Sequence, residues 1–310
     1  MTQIGIMIEG QNGLNWPRWK RILQSAEDFG FQCVFRSDHY TNVNPPDLDS
    51  LELWAALTYA ASFTKRIEFG PLVTPITFRH PALTARMAAA VDDLSGGRLV
   101  LGLGAGWQER EHSHFGIPFY DFPTRFAMFE NALEVTKLLL HSDEPVSYTG
   151  KHFSLQEAIL LPRPARKGGP PLLIGGNGPK RTLPLVAKYA DEWNAVYIPL
   201  AEYKQCAAQL DELLKQQGRK PADVKRSLMT GTVFGRDDIA VKAALNQRAG
   251  REVTAEDLRA RGLIVGTPSM WVDQIGQFVE AGVERFMLQW LDLDDIDGLE
   301  IVAKEVLPHL

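Results

Sequence analysis

The chain has 310 residues, with 33 lysines and arginines against 38 aspartates and glutamates, so its formal charge is −5. A hydrophobic share of 45% and a charged share of 23% exclude a disordered chain, a collagen-like repeat and a coiled coil. The mild acidity argues against nucleic-acid binding, which needs a basic footprint, but not against a small anion held in a locally positive pocket.

Short apolar runs alternate with amphipathic segments from end to end. Gln3 to Ile8 reads as a strand ending in Glu9-Gly10. Trp16 to Phe29 has Trp19, Ile22, Leu23, Ala26 and Phe29 at helical spacing, with Gly30 to stop it. Gln32 to Arg36 is a second strand, followed by the polar cluster Ser37-Asp38-His39. Leu51 to Phe63 is a helix and Arg66 to Val73 a third strand. Pro81 to Leu94 is a helix closed by Ser95-Gly96-Gly97. Arg98 to Leu103 is a fourth strand running into Gly104-Ala105-Gly106, and Thr124 to Leu140 is the helix after it. Ser142 to Pro170 breaks the rhythm and reads as an insertion, with a possible hairpin at Tyr148 to Leu155. The alternation resumes with a strand at Pro171 to Ile174, a helix at Gly178 to Ala190, a strand at Glu192 to Tyr197 and a helix at Ala201 to Gln217. Lys225 to Phe234 is the seventh strand, and Asp237 to Leu263 reads as a charged helical stretch. A helix at Pro268 to Ala281, a strand at Arg285 to Gln289 and a helix at Asp295 to Leu307 complete the chain.

Strands apolar throughout, such as Pro171-Leu172-Leu173-Ile174, suit a parallel sheet buried on both faces. Eight strands, each followed by a helix, predict an α/β protein, a (β/α)8 TIM barrel with insertions. The expectation is one domain over 1–310, with insertions at about 142–170 and 237–263. The rival, an open doubly wound sheet, requires a Gly-rich dinucleotide turn after the first strand; Glu9-Gly10-Gln11-Asn12-Gly13 lacks that pattern.

Barrel enzymes build their sites at the C-terminal ends of the strands. There the sequence puts Glu9, then Ser37-Asp38-His39, Thr74 and Thr77, Glu109 to Glu111, Gly175 to Gly178, Tyr197 and Gln289. Asp38-His39 is the sharpest feature, because a histidine near neutrality serves as general acid or base; a surface or capping pair is the other reading. Gly175-Gly176-Asn177-Gly178, before Lys180 and Arg181, suits either a phosphate at a helix N-terminus or a tight turn that simply needs glycine. Gly102, Gly104 and Gly106 clear side chains from a strand end and leave room for a flat ligand. Gly70-Pro71 to Thr74-Pro75 suggests an irregular strand end, and Trp107, directly after the glycine run, is a pocket-lining candidate. The remaining tryptophans read as packing residues. Cys33 and Cys206 read as free thiols, and neither they nor His112 and His114 complete a metal set, so no metal is expected. No signal peptide and no apolar stretch of about 18 residues is visible, which makes a cytoplasmic protein with neither membrane nor nucleic-acid partners the expectation.

Several runs together resemble the bacterial luciferase-like monooxygenase superfamily over nearly the whole chain. They are Phe78-Arg79-His80-Pro81-Ala82, Asp92 to Arg98, Leu101 to Trp107 with Glu111, and Ile174 to Gly178 with Tyr189 to Asn194. Met7-Ile8-Glu9-Gly10 and Arg36-Ser37-Asp38-His39 resemble its coenzyme F420-dependent branch, whose cofactor is a deazaflavin hydride carrier. The resemblance implies an oxidoreductase acting on a small organic substrate, with Asp38 and His39 facing the ring and His39 as the acid or base. It implies a bulge after strand three, with a non-prolyl cis peptide at Leu72-Val73, that backs the ring beside Thr74, Ala105 and Gly106. It assigns the phosphate to Gly175, Gly176, Asn177 and Gly178, while Glu9 and Trp107 are expected in the substrate pocket from their places at the strand ends. It also implies a lid-like role for the 142–170 insertion, and a homodimer. The superfamily's sugar-phosphate dehydrogenases carry a glutamate where this chain has Trp107, which argues against a sugar phosphate. A reduced-FMN monooxygenase of the same fold is the alternative, although the luciferase's arginine is replaced here by Ala105. A cofactor-binding protein without turnover is the reading from a different class.

Overall fold

The computed structural model describes residues 2–249 and 253–310. In chain order its elements begin with β1 (Gln3–Ile8), α1 (Trp16–Phe29), β2 (Cys33–Arg36), α2 (Leu53–Phe63), β3 (Glu68–Pro71), β4 (Thr74–Pro75) and α3 (Pro81–Ser95). Next come β5 (Leu101–Gly104), α4 (Glu109–His114), α5 (Phe122–His141) and the hairpin β6 (Val146–Thr149) and β7 (Ser154–Ala158). The second half holds β8 (Leu172–Gly175), α6 (Thr182–Tyr189), β9 (Glu192–Val196), α7 (Leu200–Gln216) and β10 (Lys225–Phe234). It ends with α8 (Asp238–Ala249), α9 (Ala255–Ala260), β11 (Ile264–Gly266), α10 (Pro268–Glu280), β12 (Arg285–Gln289) and α11 (Ile296–Glu305).

The helices start and stop where the side chains can satisfy the free ends. Asn15 caps α1 by accepting from the Arg18 amide, and Gly30 ends it in the left-handed conformation at φ +90°. The His80 ring accepts from the Ala82 amide ahead of Pro81 to start α3, and Gly96 closes it at φ +70°. Trp19, Ile22, Leu23 and Ala26 of α1 are buried against the sheet.

All barrel strands pair in parallel, in the order β3-β2-β1-β12-β10-β9-β8-β5-β4. The two ends of this path, β3 and β4, are halves of one strand interrupted at Leu72-Val73. The β5 segment bridges both halves, Leu99 just ahead of it pairing with Phe69 and Leu103 within it with Thr74. The eight-unit barrel is therefore present, with one of its strands broken. A feature absent from the sequence reading is β11, which pairs with the far end of β10 beyond the barrel. The helical stretch expected at 237–263 resolves into α8 and α9, with 250–252 outside the described residues.

The barrel interior is layered. At the N-terminal end Arg285 is 1% exposed and ion-pairs with Glu192 at 2.9 Å and with Glu68. Its Nε donates to Gln3 at 2.8 Å. Above lies an apolar layer of Met7, Phe35, Leu72, Val100, Leu173, Met229 and Met287. The polar residues of the strand ends form the mouth on top. Outside the barrel, Trp19, Trp54, Trp193, Trp271 and Trp290 are all buried between strands and helices.

The insertion packs on the outer helices. Tyr148 meets Asn131 of α5, Phe153 packs on His80, Arg163 donates to the last carbonyls of α5, and Arg166 reaches Asp92 of α3. These contacts fasten it along α3 and α5, and the one on His80 lies next in the chain to Arg79, which bonds Asp38.

Candidate active site

Past β2 the chain delivers Asp38 and His39 to the mouth, and their side chains diverge. His39 Nδ1 lies 2.9 Å from Glu111 Oε1, while Glu111 Oε2 accepts from the Tyr40 amide at 3.0 Å. Glu111 is buried on the short helix α4. Engaging Nδ1 with the carboxylate fixes the ring and leaves Nε2 as the nitrogen turned away from Glu111. Burial pulls the His39 pKa down, but the hydrogen bond and charge of Glu111, with the charges of Glu9 and Asp38, outweigh it and hold the imidazole above its ordinary value. Trp107, 61% exposed, sets its indole edge-on to His39 with ring centroids 5.5 Å apart. Tyr40 stacks on Phe78 at 4.4 Å and braces the loop from the far side.

Asp38 is buried and accepts from Thr74 Oγ1 at 2.7 Å and from Arg79 at 2.5 Å. Arg79 also bonds Glu52 at 2.8 Å, tying the ends of β2 and β4 to α2.

A second polar chain crosses the mouth. Tyr197 donates to Gln289, whose amide donates to Glu9 Oε1 at 2.7 Å. Gln11 donates to Glu9 Oε2 at 3.0 Å, and Ser37 donates to Gln11 at 2.7 Å. Both Glu9 oxygens thus receive amide hydrogens.

The Leu72-Val73 peptide is cis. Val73 turns toward the glycines of β5: a methyl built on Gly104 would meet Val73 Cγ2 at 2.5 Å, and one on Gly102 would meet the Pro71 carbonyl oxygen at 2.2 Å. The space that sequence reasoning left for a flat ligand at these two glycines is therefore filled by strand three itself. What stays accessible is the rim just beyond: Val73, Ala105, Gly106, Gly175, Gly176, Asn177 and Gly178 are all partly exposed. Gly106 at φ +78° and Gly176 at φ +121° need the freedom of glycine.

The Gly175 to Gly178 turn differs in detail from its expectation. The Asn177 amide is spent on the neighbouring strand β9, donating to the Val196 carbonyl at 2.7 Å and accepting from the Val196 N–H at 2.9 Å. The helix begins at Thr182, later than Gly178, and Arg181 lies over the Phe122 ring at 5.2 Å. His112 is buried with both ring nitrogens engaged, on Gln108 and Thr77. Among the described residues no group of three or more His, Cys, Asp or Glu could hold a metal ion.

Sequence reasoning placed His39, Asp38, Thr74, Glu9 and Trp107 at one rim, and the structure brings them together there. It gave no role to Glu111, Arg79 or Gln289. All three sat in motifs or at strand ends, but their partners lie 72, 41 and 280 residues away in the chain, so periodicity carried no signal of the pairing.

A (β/α)8 barrel with a histidine–glutamate pair and an accessible glycine rim at its C-terminal mouth has the layout of a barrel enzyme. The chain belongs to the luciferase-like monooxygenase family, whose model matches residues 2–249. It is 28% identical over 304 residues to an F420-dependent hydroxymycolic acid dehydrogenase of Mycobacterium tuberculosis, covering 93% of this chain and 82% of that one. It is 26% identical to an F420-dependent glucose-6-phosphate dehydrogenase of Intrasporangium calvum, with 92% of each chain covered. Among solved structures, an F420-dependent secondary alcohol dehydrogenase holding an F420-acetone adduct superposes with a TM-score of 0.84 at 24% identity, covering 99% of this chain and 98% of that one. A monooxygenase from Streptomyces bottropensis superposes at 0.80 with 20% identity, covering 99% of each. The protein is an oxidoreductase with relatives in both the F420 and the flavin groups.

Proposed function

We propose that the protein is a coenzyme F420-dependent oxidoreductase exchanging a hydride with a small organic substrate, with His39 as the acid or base. The observation that carries this reading is the His39–Glu111 pair, set beside exposed Trp107 on the rim that also offers a strip of nearly bare backbone. That strip suits a flat ring: Leu72, Val73, Ala105 and Gly106 would form its floor. Gly175, Gly176 and Gly178 would approach a phosphate by backbone, while Asn177 shapes the turn. When bound, F420 supplies the two-electron hydride donor or acceptor.

The chain's own groups manage the proton and the geometry. His39 Nε2 takes the substrate hydroxyl proton in oxidation and returns it in reduction. Glu111 fixes the ring and stabilises its charged form. Asp38 holds Thr74 and Arg79 in place behind the ring site, and Glu9 faces the substrate. A homodimer in the cytoplasm is part of the same reading, supported by family likeness.

The test supplies F420 in each redox state with a panel of alcohols, aldehydes and ketones and follows the cofactor absorbance. Turnover is expected with at least one substrate, and His39→Ala should lower kcat by roughly 10²–10⁴-fold. Turnover that needs reduced FMN and oxygen instead would replace this reading with the flavin monooxygenase one.

A further inference from the structure

His112, next to Glu111 on α4, has no task in the roles above. It is wholly buried, and the rings of Phe78 and Phe119 lie 5.0 and 4.9 Å from it. Packing alone needs no nitrogen, yet both ring nitrogens are spent. Nδ1 lies 2.7 Å from the Gln108 carbonyl oxygen, which can only accept, so Nδ1 carries the proton. In the neutral ring Nε2 then holds the lone pair, and the Thr77 hydroxyl donates to it at 2.8 Å.

The hydroxyl has one hydrogen, so this bond fixes where the Thr77 oxygen sits. A methyl built on Gly106 would meet that oxygen at 2.8 Å: the threonine occupies the place of a side chain at 106. Arg125 Nε donates to the Gly106 carbonyl at 3.2 Å. Its guanidinium lies 4.0 Å from the centroid of the Phe119 ring, the same ring that packs on His112. Gly106, at φ +78°, is therefore held both at its α-carbon and at its carbonyl. Because a peptide is planar, fixing that carbonyl fixes the start of Trp107, whose indole stands edge-on to His39.

We propose that His112 is a positioning residue. Locked as its Nδ1–H tautomer, it holds Thr77 against Gly106 and, with Arg125 on the carbonyl, sets the rim in its ring-receiving shape before any ligand arrives. A rim already in shape loses less free energy to ordering when it binds. This rests on the F420 reading above only for which ring binds; the tautomer and the brace belong to the cofactor-free chain.

Nitrogen NMR of the ligand-free protein, with the His112 signal assigned by its loss in His112→Asn, reads the tautomer: Nδ1 protonated and Nε2 bare is expected. Two amides then divide the ring's two contacts. His112→Gln puts an amide oxygen near the place of Nε2 and keeps an acceptor for Thr77. His112→Asn puts an amide N–H near the place of Nδ1 and releases Thr77. Both lose the packing on Phe78 and Phe119, so their melting temperatures should fall together. Fluorescence titration with F420 should separate them: about tenfold weaker binding in His112→Asn, and within about twofold of wild type in His112→Gln. Thr77→Val leaves the ring in place and should repeat the loss seen in His112→Asn; it decides the case should the His112 variants not fold. An Nε2–H ring, equal losses in the two amide variants, or wild-type binding by Thr77→Val would each overturn the proposal. Wild type that binds FMN and not F420 would overturn the cofactor reading alone, and the same ranking would then be read with FMN. Binding of neither ring would overturn both.

Discussion

His39 meets Glu111 through Nδ1, and that contact sets both the tautomer and the charge of the ring. Glu111 contributes the hydrogen bond and the largest charge that raise the imidazole pKa, so Glu111→Gln removes the charge and leaves only a neutral acceptor. The His39 pKa should then fall, and the histidine limb of the pH–rate profile should move to lower pH. NMR titration of the His39 ring checks the same shift without turnover. A limb that stays in place would show that Glu111 does not tune this ring. Asp38 is read differently once its partners are known. In sequence it stands as one half of an Asp-His pair, yet its carboxylate is committed to Thr74 and Arg79. Adjacent residues point apart on an extended chain, so the dipeptide put both residues at the mouth and left their separate partners to the tertiary structure. Glu111 shows the limit of motif reading: its position was visible in the run after β5, but its role exists only because α4 folds back over the β2 loop.

At the scale of elements, the interruption between β3 and β4 shapes the floor of the site. Gly70-Pro71 and Thr74-Pro75 marked it in the sequence, because prolines cannot continue a ladder. The glycines of β5 were legible as missing side chains, but not what fills their space. Val73 takes it, which predicts a coupled pair. Gly104→Ala would force its new methyl against Val73 Cγ2, 2.5 Å away, and should cost about 1–3 kcal/mol of stability. Val73→Ala in the same chain should recover part of that loss, giving a non-zero interaction in a double-mutant cycle read by denaturant unfolding. Strict additivity would mean that the two do not share the space. β11 escaped the sequence reading because its three residues, Ile264 to Gly266, are too short to show a period and pair only with the overhang of β10. The hairpin of the 142–170 insertion was legible, but its contacts with α3 and α5 were not. A hairpin can be read locally, but the helix it packs on cannot.

Across the whole molecule, alternation of eight apolar strands with helices was enough to reach the barrel, since buried parallel strands and short connections leave few other closures. The bulk charge was a poor guide, as electrostatics are organised by layer. The barrel's N-terminal end is plugged by Arg285 between Glu192 and Glu68, with burial pushing the Glu192 pKa up against the pull of Arg285. Arg285→Ala would leave Glu192, 3% exposed, without that ion pair, and should destabilise the fold by about 3–5 kcal/mol; an unchanged melting temperature would contradict that. At the opposite end, the mouth joins His39 to an open glycine rim, and we propose that this rim receives a deazaflavin. Parallel fluorescence titrations of the purified protein with F420 and with FMN test it most directly. The account predicts saturable F420 binding that Gly106→Val and Gly176→Val weaken, and much weaker FMN binding. Tight FMN binding with no response to F420 would contradict it.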